Sequence, residues 1–194
     1  FLKIIFAAPY MSPLYDFTPR STLLKIIMEE SSQISDWNVS FMPHVELSEE
    51  QIQEARLFKQ KIPDNFNVLI EYEFFSNQSF INESSILKIL KTLKQNSLNL
   101  IFSGLKKPEY YNNFSSIPNF NVFHYDKSFM SNAELYNNID FFIGCSSGIT
   151  CLTSSDYCDP NIPRIELVRG EHWSTKDFTH HKNKNIVYNL EGIR

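Results

Sequence analysis

Apolar residues fall into two patterns along this chain. Short runs rich in β-branched and aromatic residues are continuous instead of alternating, at Leu2 to Ala7, Val68 to Glu73, Leu98 to Ser103, Asn121 to His124, Asp140 to Ile143, Arg164 to Val168 and Asn185 to Tyr188. Continuous runs of this length are how strands buried on both faces read. The segments between them carry helix signals. Thr18-Pro19 offers an N-cap followed by Pro at the first helical position. Ser48-Glu-Glu-Gln51 and Ser131-Asn-Ala-Glu134 have capping-box spacing, and Asn82-Glu83 sets an acceptor and a negative charge at a helix start. From Glu83 to Gln95 the apolar Ile86, Leu87, Leu90 and Leu93 share one face, with Lys88, Lys91 and Lys94 elsewhere.

From Val68 onward strands and helices alternate, the order that generates a parallel sheet with right-handed crossovers. The sequence therefore predicts an α/β fold over 67–194: a Rossmann-like, doubly wound parallel sheet of about six strands with helices on both faces and strand 68–73 at its centre. Residues 1–66 hold one strand, two helices and the irregular stretch Trp37-Asn-Val-Ser-Phe-Met-Pro43, too little for a layered domain. They read as the tail of a preceding domain plus a crossover linker, with Trp37, Phe41 and Met42 as anchors. A first strand without an initiator Met suggests a piece of a longer protein.

Composition narrows the function classes. The chain has 194 residues, of which 42% are hydrophobic, 14% aromatic and 21% charged, with 9 Pro and 5 Gly. A chain of this size buries roughly 70% of its unfolded surface and needs no metal or disulfide staple. Its formal charge of -4, with Lys and Arg scattered, gives nucleic-acid phosphates little to bind. The apolar opening is too short to span a membrane and lacks a signal peptide's basic head. Cys145, Cys151 and Cys158 are odd in number and have no CxxC spacing, which points away from a disulfide framework or zinc site and towards a reducing, cytosolic setting.

In parallel sheets ligands bind beyond the carboxyl ends of the strands, so the strand exits are the places for chemistry. The first exit, Glu71-Tyr-Glu73-Phe-Phe-Ser76-Asn-Gln78-Ser79, has no glycine, which disfavours a dinucleotide fold of the GxGxxG kind. Ser76, Gln78 and Ser79 are suited to hydrogen-bonding a phosphate or sugar, or equally to closing a polar loop. The second, Asp140-Phe-Phe-Ile-Gly144-Cys145-Ser146-Ser147-Gly148-Ile149-Thr150, runs a strand into a turn between two glycines that presents amides and hydroxyls to an anion. It lacks the Lys of a GxxxxGK[ST] loop, so a diphosphate held without nucleotide hydrolysis is the functional reading, and a plain turn the structural one. Later exits bring His124 and Tyr125, placed to flank a planar base, and Glu166 and Glu171, placed to accept from hydroxyls. His180-His181 receive no role.

The run from Ser48 to Gly192 resembles the C-terminal half of a GT-B glycosyltransferase of the heptosyltransferase-like group. The similarity lies in the Pro-containing lead-in and helix from Met42-Pro43 to Lys61, the polar loop Glu73 to Ser79, and the short helix Ala133-Glu134-Leu-Tyr136. After these come Asp140-Phe-Phe-Ile-Gly144 and Ser146-Ser147-Gly148. Two departures stand out. Many heptosyltransferases carry an acidic residue, a Pro and a His around that turn, where this chain has Cys145 before the serines and Ile149-Thr150-Cys151 after the glycine. The first loop also has no Lys or Arg to neutralise a donor phosphate, leaving Gln78 to hydrogen-bond it.

The resemblance implies transfer of a sugar from a nucleoside diphosphate sugar to an acceptor hydroxyl, without a divalent metal or other cofactor. Ser146, Ser147, Gly148 and Thr150 would hold the diphosphate. Ser76, Gln78 and Ser79 would hold the phosphate or sugar, His124 and Tyr125 would surround the base, and Glu171 would take the hydroxyls. The catalytic base and a glycan or lipid-linked acceptor would belong to a preceding domain, leaving this half inactive by itself. The setting would be the cytoplasm, peripheral to a membrane through that other part. Two other readings stay open: a noncatalytic Rossmann-like binding or scaffold module, and a related GT-B sugar enzyme such as an epimerase or pyruvyl transferase.

Overall fold

The computed structural model describes residues 44–72, 81–145, 148–168 and 185–189. The strand at Leu2 to Ala7, the helix start at Thr18-Pro19, the Trp37, Phe41 and Met42 anchors and the loop 73–80 lie outside them.

Helix α1 (Glu49–Lys59) opens with the capping box expected at Ser48, whose backbone N–H donates to Gln51 Oε1 at 2.9 Å while its hydroxyl accepts from the Gln51 N–H at 3.3 Å. Strand β1 (Phe66–Glu71) follows, and then α2 (Glu83–Thr92), begun by Asn82, whose side chain accepts from the Ser85 N–H at 2.8 Å. α2 stops earlier than its apolar spacing suggests because Lys94 turns into the left-handed region at φ 52°, redirecting the chain into β2 (Leu98–Ser103). The remaining elements are α3 (Tyr111–Ser115), β3 (Phe120–Tyr125), α4 (Asn132–Tyr136), β4 (Phe141–Cys145), α5 (Gly148–Leu152), β5 (Arg164–Val168) and β6 (Asn185–Asn189). Asp140 stays out of β4 because its carboxylate is engaged, accepting from the backbone and side-chain N–H groups of Asn67 at 2.8 and 3.0 Å.

The capping box expected at Ser131 does not form. Ser131 is itself helical and its hydroxyl donates to the Ser128 carbonyl at 2.7 Å, while Glu134 turns away to Arg56 Nε at 2.9 Å and the Tyr157 hydroxyl at 2.5 Å. Tertiary partners outcompete the local cap.

All six strands are parallel, in the order β3-β2-β1-β4-β5-β6, which puts β1 in the middle as expected. Strand side chains alternate between the two faces, and each face has its own core. On one, Val68, Ile70, Leu100, Phe102, Ile143 and Leu167 pack under α2 and α3 through Ile86, Ile89, Leu90 and Phe114. On the other, Leu69, Ile101 and Phe142 meet Ala133, Leu135 and Tyr136 of α4, Ile149 and Leu152 of α5, and Ala55 of α1. Residues 44–65 thus lie against the sheet, with Ile62 in the same core. Among the described residues no helix is long and apolar enough to cross a membrane.

Candidate functional site

The strand order contains a reversal. From β1 the chain moves outward through β2 to β3, then returns to β4 on the other side of β1 and moves outward again to β5 and β6. The segments leaving β1 and β4 therefore diverge, and parallel sheets open their ligand crevice at such a switch point. β1 and β4 are in register there, with Ile70 opposite Ile143. The two strands whose exits the sequence singled out end here side by side, β1 at Glu71 and β4 at Cys145.

Glu71 ends β1 with 1% of its surface exposed. Thr150 Oγ1 donates to its Oε2 at 2.8 Å, and the backbone amides of Cys145 and Ile149 favour its ionised form. Burial pushes its pKa up to about 8, against the pull of those groups and of the nearby Arg164 guanidinium. The same Thr150 oxygen is 2.5 Å from the Cys145 carbonyl oxygen. Gly144 makes room for this arrangement: a Cβ there would lie 2.7 Å from Thr150 Oγ1 and collide with the Phe142 ring.

Beneath α5, Arg164 is fully buried. It contacts Glu166 Oε1 at 2.6 Å and donates to the Thr153 and Thr150 carbonyls, both at 3.3 Å, at the end of that helix. The Tyr136 and Phe142 rings cover the guanidinium at 5.9 and 5.2 Å. Burial raises the pKa of Glu166, and Arg164 draws it back.

On the other side of the switch point, the ends of β2 and β3 fix the loop that follows β3. The Ser103 hydroxyl donates to Asn132 Oδ1 at 2.5 Å, and the Asn132 amide donates to the Phe129 carbonyl at 3.0 Å. The Tyr125 hydroxyl meets Ser131 Oγ at 2.5 Å. Held by this network, the half-exposed Phe129 ring lies against Gly148, 3.3 Å from where a Cβ would stand.

Of the site residues named from the sequence, Ser76, Gln78, Ser79, Ser146, Ser147 and Glu171 lie outside the described residues. Gly148 begins α5 at the switch point, as expected, although it has no positive φ; what it accommodates is the Phe129 ring. Thr150 is buried, with its hydroxyl turned inward on Glu71 and Cys145, away from any diphosphate. His124 and Tyr125 do not flank a common base. Consecutive strand residues point to opposite faces: His124 packs edge-on to Tyr111 of α3, and Tyr125 is buried against Phe58 of α1 with its hydroxyl pushed up to about 12. Glu166, named as an acceptor for hydroxyls, is fully buried beside Arg164. The sequence reading passed over Glu71 and Phe129. A carboxylate closing a doubly buried strand was the available signal for the first; nothing local distinguished the second.

No family model matches the sequence, and no curated protein resembles it closely enough to match. Two solved structures share the fold. One is the glycosyl transferase family 9 protein from Veillonella parvula DSM 2008, at 13% identity with a TM-score of 0.65, covering 95% of this chain and 53% of that one. The other is the E. coli ADP-heptose lps heptosyltransferase II, at 12% identity with a TM-score of 0.53, covering 79% of this chain and 47% of that one. The chain has the fold of a heptosyltransferase-like GT-B half and spans about half the length of either structure.

Proposed function

We propose that this chain is the donor-binding half of a glycosyltransferase that moves a sugar from a nucleoside diphosphate sugar to an acceptor hydroxyl. The observation that carries this reading is the adjacency of β1 and β4 at the reversal of the strand order, in a fold shared with two glycosyltransferases. Cleavage of the donor's bond to its sugar leaves negative charge on the diphosphate. Amides and hydroxyls fixed before the reaction stabilise such charge without reorganising. Ser146, Ser147 and Gly148 at the β4 exit, with Ser76, Gln78 and Ser79 at the β1 exit, supply groups of this type, and Glu171 takes donor hydroxyls. Phe129 replaces His124 and Tyr125 as the surface against which a base or sugar ring lies, because its exposed ring stands beside Gly148. The catalytic base and the acceptor site belong to a partner domain.

Thermal melts of the full chain with and without millimolar ADP, GDP or UDP test the reading. A ligand bound only by the folded form at a hundred times its Kd adds about 2.7 kcal/mol of stability. Gly148→Val, which puts a branched side chain where the Phe129 ring and the phosphate both approach, is expected to weaken binding at least tenfold, at a folding cost of about 1 kcal/mol. Phe129→Ala should weaken it roughly fivefold through lost ring contact. Absence of any shift in the unmodified chain with all three nucleotides would refute donor binding by this half.

A further inference from the structure

We propose that residues 44–47 form a pH-sensitive strap: where the chain enters the sheet unit, a protonated His44 fastens it to Asp156 in the loop between α5 and β5, and loss of that proton loosens it. The strap uses no residue of the donor site and needs no nucleotide.

One carboxylate spans two consecutive residues of the strap. Asp156 Oδ2 lies 2.6 Å from His44 Nδ1, and Asp156 Oδ1 accepts from the Val45 N–H at 3.0 Å. The second ring nitrogen of His44, Nε2, lies 3.2 Å from Glu46 Oε1. An ionised carboxylate only accepts, so a ring that serves both carboxylates donates from both nitrogens, which is the imidazolium. A neutral ring has one N–H. It keeps one of the two contacts, without the charge that strengthens it.

The surrounding groups favour the charged ring. Asp156 first, and Glu46 after it, hold the His44 pKa above its ordinary value, and His44 in turn holds Asp156 below the usual carboxylate range. From the same loop, Tyr157 turns to Glu134 and Asp159 to Asn161, and Arg56 of α1 is taken by Glu134. On the other side of the strap, Val45 and Leu47 are half-buried against the core that holds Ala55, Leu135 and Leu152, and Ser48 then caps α1. The apolar side of the strap is indifferent to pH and the polar side responds to it. His44 and Asp156 are both exposed, so the charge pair adjusts how often the strap opens and leaves closure itself to the apolar side. Each opening releases four residues, up to about 14 Å of extended chain, where the preceding residues join the sheet unit.

The sign follows from the two shifts. The gain from His44 is fully present below its ordinary 6.5 and is lost as pH rises through the higher folded value. Asp156 gives way only at the acid end, because its folded value lies below the ordinary 3.8. The strap is tightest in mildly acid solution and loosens upward through neutrality.

Two measurements on the full chain test this. The His44 ring signal, assigned by its loss in His44→Gln, is expected to titrate above pH 6.5 and to return towards that value in Asp156→Asn. Titration at or below 6.5 in the unmodified chain overturns the proposal. Hydrogen exchange at the Val45 amide, corrected for its intrinsic dependence on pH, is expected to quicken about two- to fivefold between pH 6 and 8.5, the range that an exposed ion pair supports. His44→Gln, whose amide donates at every pH, should remove that dependence, and Asp156→Asn should both lower protection at pH 6 and flatten the profile. Both side chains are exposed, so neither substitution opens the core. Corrected exchange that does not change with pH, or that changes equally in His44→Gln, refutes the strap.

Discussion

Asn67, Asn99 and Asn121 stand second in three neighbouring strands and in register with one another. Their amides form a rung across the amino end of the sheet. Asn99 donates to Asn67 Oδ1 at 2.9 Å and to the Pro63 carbonyl at 2.7 Å, and its own oxygen accepts from Asn121 at 3.0 Å. Asparagine is depleted in strands because its polar groups compete for the backbone. Here the competition is satisfied sideways, between strands, and Asn99 is fully buried at no loss of hydrogen bonding. Asn99→Ala strands the groups on both sides and should cost about 2 to 3 kcal/mol in denaturant melts, against about 1 kcal/mol for an ordinary exposed hydrogen bond. A cost below that of an exposed bond would show that the rung contributes little. Nothing in the sequence marked these residues beyond a high local Asn content, because which strand stands beside which is not written in any one strand.

Among the elements, α5 is too short to be stable alone. It is held by what lies beneath it. Glu71 engages its first turn, Ile149 and Leu152 enter the core, and Arg164 donates to carbonyls at its end. Removing Arg164 also leaves Glu166 buried without its counter-charge. Breaking one member of a buried pair costs about 3 to 5 kcal/mol, whereas replacing both with apolar groups of similar volume is often neutral. Arg164→Ala should therefore destabilise strongly, and Arg164→Met combined with Glu166→Leu should recover most of the loss in urea melts. If the double variant is as unstable as the single one, the carbonyl contacts to α5 outweigh the charge pairing. α4 teaches a related point. Ser131 and Glu134 have capping-box spacing, but Tyr125, six residues earlier, takes the Ser131 hydroxyl, and Arg56 and Tyr157, distant in sequence, take Glu134.

At the scale of the molecule, buried and exposed carboxylates pull the pH dependence of stability in opposite directions. Glu71 has a folded pKa of about 8, raised from 4.5 by burial. Between those values the folded chain holds a proton that the unfolded chain has released. Its contribution is complete at low pH and is lost as pH rises towards 8, at up to about 1.4 kcal/mol per pH unit. Glu166 shifts the same way. Glu54, Asp126 and Asp156 are held below their ordinary range by Ser128, Lys127 and His44, so their contribution is lost as pH falls through the acid range. Maximum stability should accordingly lie on the acid side of neutrality, at about pH 5. Denaturant midpoints from pH 4 to 9 should decline more steeply for the unmodified chain than for Glu71→Gln; identical slopes would mean that Glu71 does not hold its proton.

What the sequence determined by itself was the class of fold, a parallel sheet with β1 in its middle. Short continuous apolar runs rich in β-branched and aromatic residues read as strands covered on both sides, and their alternation with helices favours parallel pairing. That β1 and β4 carry the exits to interrogate was legible on those grounds, and the two strands stand side by side at the reversal of the strand order. Only the tertiary structure decided which way the side chains there face. Strand alternation separates His124 from Tyr125, Thr150 is drawn inward by a carboxyl group 79 residues away, and Phe129 reaches Gly148 through a loop anchored on Ser103. Hydrophobic periodicity is a property of neighbouring residues and survives in one dimension. The orientation of a polar side chain depends on the partner it finds across the sheet, and that partner is chosen when the chain closes on itself.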